Sequence, residues 1–178
     1  DINHYFNGGH ADIVFLCDVD DRQTVNSRKK FPQAKYYKDF REMLDKESKY
    51  IDAVSVSAPD HTHAGAAMAA MQRGKHVYVQ KPMAHDIYEA RMMTEAVHKY
   101  KVVTQMGNQG ASGDGVRQLI DWYKAGIIGD LEEVFCYTDR LVWPQGVLRP
   151  TQNDPIPQGL DWNLWQGTAP SRNYFTDV

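Results

Sequence analysis

The sequence predicts an α/β domain built on a doubly wound parallel sheet. Short β-rich runs alternate with helical patterns through the first 126 residues. The first two candidate strands, Ile13–Cys17 and Ile51–Val56, lack the in-out alternation of a half-exposed sheet and read as strands covered on both faces. The chain between successive runs is long enough for a helical crossover, which parallel pairing requires.

The elements follow in order. Ile13 to Cys17 ends at Asp18, and Asp18-Val19-Asp20-Asp21 offers capping carboxylates to a helix through Val25 and Arg28 that stops at Pro32. Ala34 to Tyr37 is a short extended piece. Asp39 with Glu42 opens a helix carrying Phe40, Met43 and Leu44. Ile51 to Val56 ends at Ala58-Pro59-Asp60. Ala64 to Arg73 is rich in Ala and Met, both good helix formers, and Gly74 is placed to end it. His76 to Gln80 is a third strand, broken by Lys81-Pro82. Asp86 with Glu89 opens a helix with Ile87, Ala90, Met93, Val97 and Tyr100 at helical spacing. Val102 to Met106 is a fourth strand. Val116, Leu119, Ile120 and Tyr123 mark one more helix, ended by Gly126.

The pattern changes after Gly129. Leu131 to Tyr137 reads as a strand with no helix behind it. Residues 143–178 hold most of the prolines and three of the four tryptophans. A partial first domain is therefore expected at 1–126 and the beginning of a second at 127–178.

Composition excludes several classes. Of 178 residues, 42% are hydrophobic and 24% charged, which fits neither a disordered chain nor a coiled coil. The formal charge of −3 argues against a nucleic-acid binder. No run of about 18 apolar residues is present to span a membrane. Cys17 and Cys136 are expected to be free, buried thiols. Compartment stays open between cytoplasm and periplasm.

In an open parallel sheet, ligands bind beyond the carboxyl ends of the strands. The polar residues cluster there: Asp18, Ser57 to His63, Gln80-Lys81-Pro82, and Asn108-Gln109. A carboxylate in the position of Asp18 can accept hydrogen bonds from an adenosine ribose; otherwise it caps a helix, a task open to Asp20 and Asp21. Lys81 could share a proton with a substrate hydroxyl if burial and nearby cations lower its basicity; otherwise it is a solvated loop lysine. His61 and His63 suggest a metal pair, with His76 and His85 available, but no Cys or Glu completes a zinc pattern, so no metal is expected. His63 fits better as a cleft residue packed against a cofactor ring. The dinucleotide fingerprint G-x-G-x-x-G is not found, since Gly8-Gly9 comes before the first strand.

The ordered set Phe15-Leu16-Cys17-Asp18-Val19-Asp20, Ser57-Ala58-Pro59-Asp60-His61-Thr62-His63, Val79-Gln80-Lys81-Pro82-Met83-Ala84, Gly126 to Leu131, and Leu160-Asp161-Trp162-Asn163-Leu164-Trp165-Gln166-Gly167 resembles the Gfo/Idh/MocA oxidoreductases. The resemblance implies a Rossmann domain followed by an α/β domain with a largely antiparallel sheet. It implies NAD, with NADP possible, and a sugar or cyclitol substrate. Asp18 would hold the ribose, Ser57, Pro59, Asp60 and His63 would line the cofactor, and Asn108 would lie near the nicotinamide. Gln80-Lys81-Pro82 matches the family's Glu-Lys-Pro element with glutamine in place of the carboxylate, and Lys81 would be the catalytic residue. Trp143, Tyr137 and Arg140 could face the cleft, with plain core packing the favoured reading for Trp143, and Trp162 and Trp165 would pack. The relatives imply a homo-oligomer in the intact protein.

The glycine loop and the family's Asp-x-x-x-His element are not among these residues. The expectation is a fragment without its first strand, inactive alone, with residues 13–17 and 51–56 not paired to each other. An NAD-dependent glycosidase acting by transient oxidation and elimination, a non-catalytic sugar or nucleotide binder, and an unrelated α/β module stay open as alternatives. Bound NADH retained through turnover, binding without turnover, and failure to bind dinucleotide would distinguish them in that order.

Overall fold

The computed structural model describes residues 7–138, 146 and 148–176. They fall into two compact units, one comprising residues 1–107 with 152–178 and the other 108–151. None of the helices in the described residues is long and apolar enough to cross a membrane.

The first unit carries five parallel strands: β1 (Phe15–Cys17), β2 (Lys35–Tyr37), β3 (Ala53–Val56), β4 (His76–Gln80) and β5 (Thr104–Gly107). Helices α1 (Asp21–Lys30), α2 (Phe40–Glu47), α3 (His63–Met71) and α4 (Ile87–Tyr100) run between them. β1 pairs with β2, and β3-β4-β5 form a second parallel sheet. β1 and β3 do not pair, as expected from the sequence. In the doubly wound order 3-2-1-4-5-6, β2-β1 occupies places 3-2 and β3-β4-β5 occupies 4-5-6. α2 links the two sheets, touching β1 and β2 on one side and α3 on the other.

The local reasons for these elements are capping and punctuation. Asp20 caps α1 by accepting from the Arg22 N–H, and Asp39 caps α2 by accepting from the Arg41 N–H. Asp86 caps α4 by accepting from the Glu89 N–H at 2.8 Å. Gly74 follows α3 at φ +71°, a conformation that a side chain would disfavour.

The core lies where α3 meets the sheet. Ala64, Ala67 and Ala70 are buried to 3%, 0% and 0% exposure, spaced so that one face of α3 is bare of long side chains. That face lets the helix approach β3, β4 and α4 closely. Met43, Leu44, Val56, Met71, Val77, Val79 and Met93 fill the surrounding space.

Residues 152–176 return to the first unit. Asp20 forms an isolated antiparallel bridge with Leu160, the Asp21 N–H donates to Gly159 O, and the Asp161 N–H donates to Val19 O. A short helix, α6 (Trp162–Gln166), carries Trp162 stacked on Trp165 at 4.8 Å between ring centres, so both tryptophans pack as expected.

The second unit holds α5 (Asp114–Lys124), with Gly126 at φ +71° beyond its end. The strand expected over 131–137 is not formed. A strand exists only through a partner, and none of the described segments pairs with this one. Its side chains stand in solvent, Tyr137 at 95% exposure. Both cysteines are free but exposed, correcting the expectation of buried thiols. Leu16 takes the buried face of β1 and so turns its neighbour Cys17 to the opposite one. Cys136 lies in the unpaired stretch. Arg140 and Trp143 fall outside the described residues.

Leu44 is 1% exposed between the sheets and α3. Leu44→Ala should cost about 3 kcal/mol of unfolding free energy through lost burial and a residual cavity. Urea denaturation checks this, and a loss below about 1 kcal/mol would show a site able to collapse.

Candidate functional site

Parallel strands put all their carboxyl ends on one edge of a sheet. The register aligns Val56 with Val79 and Gln80 with Gly107. Ser57, Gln80-Lys81 and Gly107 therefore leave neighbouring strands side by side. Asn108 follows directly in sequence as the first residue of the second unit.

Gly107 contributes through its lack of a side chain. A Cβ there would lie 2.7 Å from Tyr78 Oη and 2.8 Å from Gln80 Oε1. Only glycine lets those two polar groups close over the strand end. Sequence reading missed Tyr78 and this role of Gly107; the signal available was a glycine at a strand terminus, which marks close backbone approach.

Lys81 is exposed, and its ammonium makes no hydrogen bond or ion pair with another described residue. Its backbone N–H donates to Gln80 Oε1 at 3.3 Å. The burial invoked to lower its basicity is not seen in these residues. Lys81 is instead an exposed donor on the turn after β4.

The loop after β3 is ordered by its own hydrogen bonds. Pro59 O accepts from the Thr62 N–H and from the Thr62 hydroxyl at 2.8 Å. Asp60 is exposed. His61 contacts Trp165, with Nε2 2.9 Å from its carbonyl oxygen and ring centres 5.1 Å apart. His63 is buried at 1% exposure, Nδ1 2.6 Å from Pro82 O and Nε2 2.7 Å from Ala58 O. The two histidines thus face backbone carbonyls rather than each other. His76 Nδ1 accepts from the Val103 N–H. A separate group, His85, Asp86 and Glu89, brings one ligand atom each within 4.8 Å, but these residues also bond one another and cap α4.

Asp18 follows β1. Its Oδ1 accepts from the Asp20 N–H at 2.9 Å, and its backbone oxygen accepts from the Tyr36 hydroxyl at 2.6 Å. Asp20 supplies the cap, which releases Asp18 from that task. Arg22 grips Asp20 with two nitrogens, Nε to Oδ1 at 2.8 Å and Nη2 to Oδ2 at 2.7 Å. The Arg28 guanidinium lies over the Tyr36 ring at 4.7 Å, and Lys38 pairs with Asp21 at 2.9 Å. Burial pushes the Asp18 carboxyl above its usual range, opposed by the Asp20 N–H. The Arg22 side chain holds the Asp20 carboxyl below it.

Two cavities flank these loops. One of about 240 Å³ is lined by Met71, Val79, Met83 and Met106, the other of about 490 Å³ by Lys38, Asp161, Trp162 and Arg172. Neither is lined by Lys81, which is exposed.

A doubly wound parallel sheet with a carboxylate after one strand, a polar loop after the next and a lysine after a third defines a nucleotide-binding α/β protein of the Rossmann class. The family model described as "Oxidoreductase family, NAD-binding Rossmann fold" matches residues 2–108. The chain belongs to this family, the Gfo/Idh/MocA oxidoreductases. It is 26% identical over 152 residues to a myo-inositol 2-dehydrogenase of Thermotoga maritima, covering 85% of this chain and 41% of that protein. It is 27% identical over 135 residues to an uncharacterized oxidoreductase of Streptococcus pneumoniae, covering 76% and 35%. The crystal structure of myo-inositol 2-dehydrogenase from Lactobacillus plantarum superimposes with a TM-score of 0.62 at 25% identity, over 67% of this chain and 35% of that one. The chain thus spans well under half the length of these relatives.

A carboxyl held low in the fold takes up protons less readily there than in the unfolded chain. Its stabilisation is full above the ordinary Asp range and is lost as pH falls through the folded value. Asp20 is of this kind. Asp20→Asn should flatten the fall in urea midpoint below about pH 5. A midpoint that falls as steeply in the variant as in the native chain would remove Asp20 from that role.

Proposed function

We propose that the intact protein is a nicotinamide-dependent oxidoreductase acting on a hydroxyl carbon of a sugar or cyclitol. The observation that carries this reading is the position of the exposed Lys81 at a strand end flanked by Ser57 and Gly107, in a chain of the NAD-binding family. Residues 1–126 would belong to the nucleotide half and 127–178 would begin the substrate half, with 152–176 packed back on the nucleotide half.

The residues fit a dinucleotide chemically. Asp18 has an oxygen to accept from a ribose diol, and the 57–60 loop offers further polar and backbone groups. Ser57, Pro59, Asp60, Gln80 and Asn108 are the proposed lining. Nicotinamide, when bound, supplies the hydride acceptor. In the intact protein, where the substrate half would bury it, Lys81 would hydrogen-bond the substrate hydroxyl and help take its proton as hydride leaves the same carbon. Gln80 holds the Lys81 N–H without placing a carboxylate beside the ammonium.

NAD is favoured over NADP. Arg22 and Arg28, the cations that would offset repulsion between Asp18 and a 2′-phosphate, are engaged by Asp20 and Tyr36. Asp18→Ala should weaken NAD binding about tenfold, the worth of a hydrogen bond to a charged group, and leave NADP binding unchanged or tighter. Calorimetry on both dinucleotides reads this; equal losses for the two would argue against ribose recognition by Asp18.

Lys81→Ala should reduce NAD-dependent oxidation of myo-inositol and related polyols by at least about 100-fold with NAD still bound. Unchanged turnover would exclude the catalytic role. NADH released at each turnover supports net oxidation, whereas NADH retained through turnover supports the transient-oxidation glycosidase.

A further inference from the structure

We propose that His63 is a positioning residue that sets the Lys81 turn against the loop after β3. The inference starts from an unusual pairing. The His63 ring is buried at the start of α3, and each nitrogen lies at hydrogen-bond distance from a carbonyl oxygen, Pro82 O at 2.6 Å and Ala58 O at 2.7 Å. Pro82 follows Lys81 directly, and Ala58 lies between Ser57 and Pro59. One rigid ring therefore spans the two loops that carry most of the proposed site. Both neighbours are acceptors, so one bond forms in either neutral tautomer and both form together in the doubly protonated ring.

The ring has little freedom. Ala64 and Ala67 on the same helix are buried, and α3 is packed on β3 and β4. His61 pins the other side of the same loop to Trp165 O. With the loop anchored from both sides, a shift of the Lys81 turn would have to break a buried contact of His63. The two histidines are thus spacers between backbone segments, a task that a metal pair would not leave them free to do.

This inference rests on the proposed function only for what Lys81 does; the coupling of the two loops is independent of it. Its test in the protein compares His63→Leu, which fills the volume without bonding, with His63→Gln, whose amide can donate to a carbonyl. Amide hydrogen exchange should rise over residues 57–60 and 81–84 together, with β3 and β4 unchanged. Turnover with NAD and a polyol should fall about 100-fold in His63→Leu through misplacement of Lys81, with KM for NAD raised as the 57–60 loop loosens, and be partly restored in His63→Gln. Exchange that rises equally across the whole sheet, or not at all in the two loops, would overturn the proposal. So would native turnover in folded His63→Leu. If His63→Leu does not fold, His63→Ala takes its place as the variant without a bonding group, and absence of the paired rise there is decisive. If Lys81→Ala turns over normally, the proposed function fails while the exchange pattern still decides the role of His63.

Discussion

The parallel pairing of β3, β4 and β5 is the constraint on which the site depends. Parallel strands end on the same side, so a register aligning Val56 with Val79 and Gln80 with Gly107 delivers Ser57 and Lys81 to neighbouring positions. That register is held by burial. A slip of one residue would turn Val77 and Val79 out of the core and bring Tyr78 and Gln80 into it. The alanine face of α3 reinforces the same choice, because a bare helix face packs closely only on strands at the right height.

A second constraint acts at the end of β1. Three aspartates lie within four residues, and the fold gives each a different partner. Asp18 takes the Asp20 N–H, Asp20 takes Arg22, and Asp21 takes Lys38 and the Tyr36 hydroxyl. The returning segment around Gly159 to Asp161 closes over this turn through backbone bonds to Val19 and Asp21. Gly159 at φ +95° permits the approach, since a residue with a side chain would be strained in that backbone conformation. Charge neutralisation within the turn leaves Asp18 half-buried, held by the Asp20 N–H rather than by a cation among the described residues.

Most of this frame was legible in the sequence. The caps at Asp20, Asp39 and Asp86 follow local rules that operate over three residues. The strand positions follow from apolar runs, and the separation of β1 from β3 followed from the strand order. Other features were not legible, because they depend on residues far apart in the chain. A histidine pair two residues apart suggested a metal or a cofactor contact. Its partners, Pro82 and Trp165, lie 19 and 104 residues away. Leu131 to Tyr137 has the composition of a strand, but composition does not supply a pairing partner.

The sequence by itself determined the order of strands and helices, the placement of polar residues at strand ends, and the family to which those motifs point. These are set by short-range periodicity, capping and motif spacing. Tertiary structure alone decided which side chains meet. It locked Arg22 onto Asp20, left Lys81 without a partner among the described residues, exposed Cys17, and laid the His63 ring between two loop carbonyls. The physical reason is directionality. A hydrogen bond or ion pair requires a position and an angle, and those exist only once the packed helices and sheets have fixed the backbone that carries them.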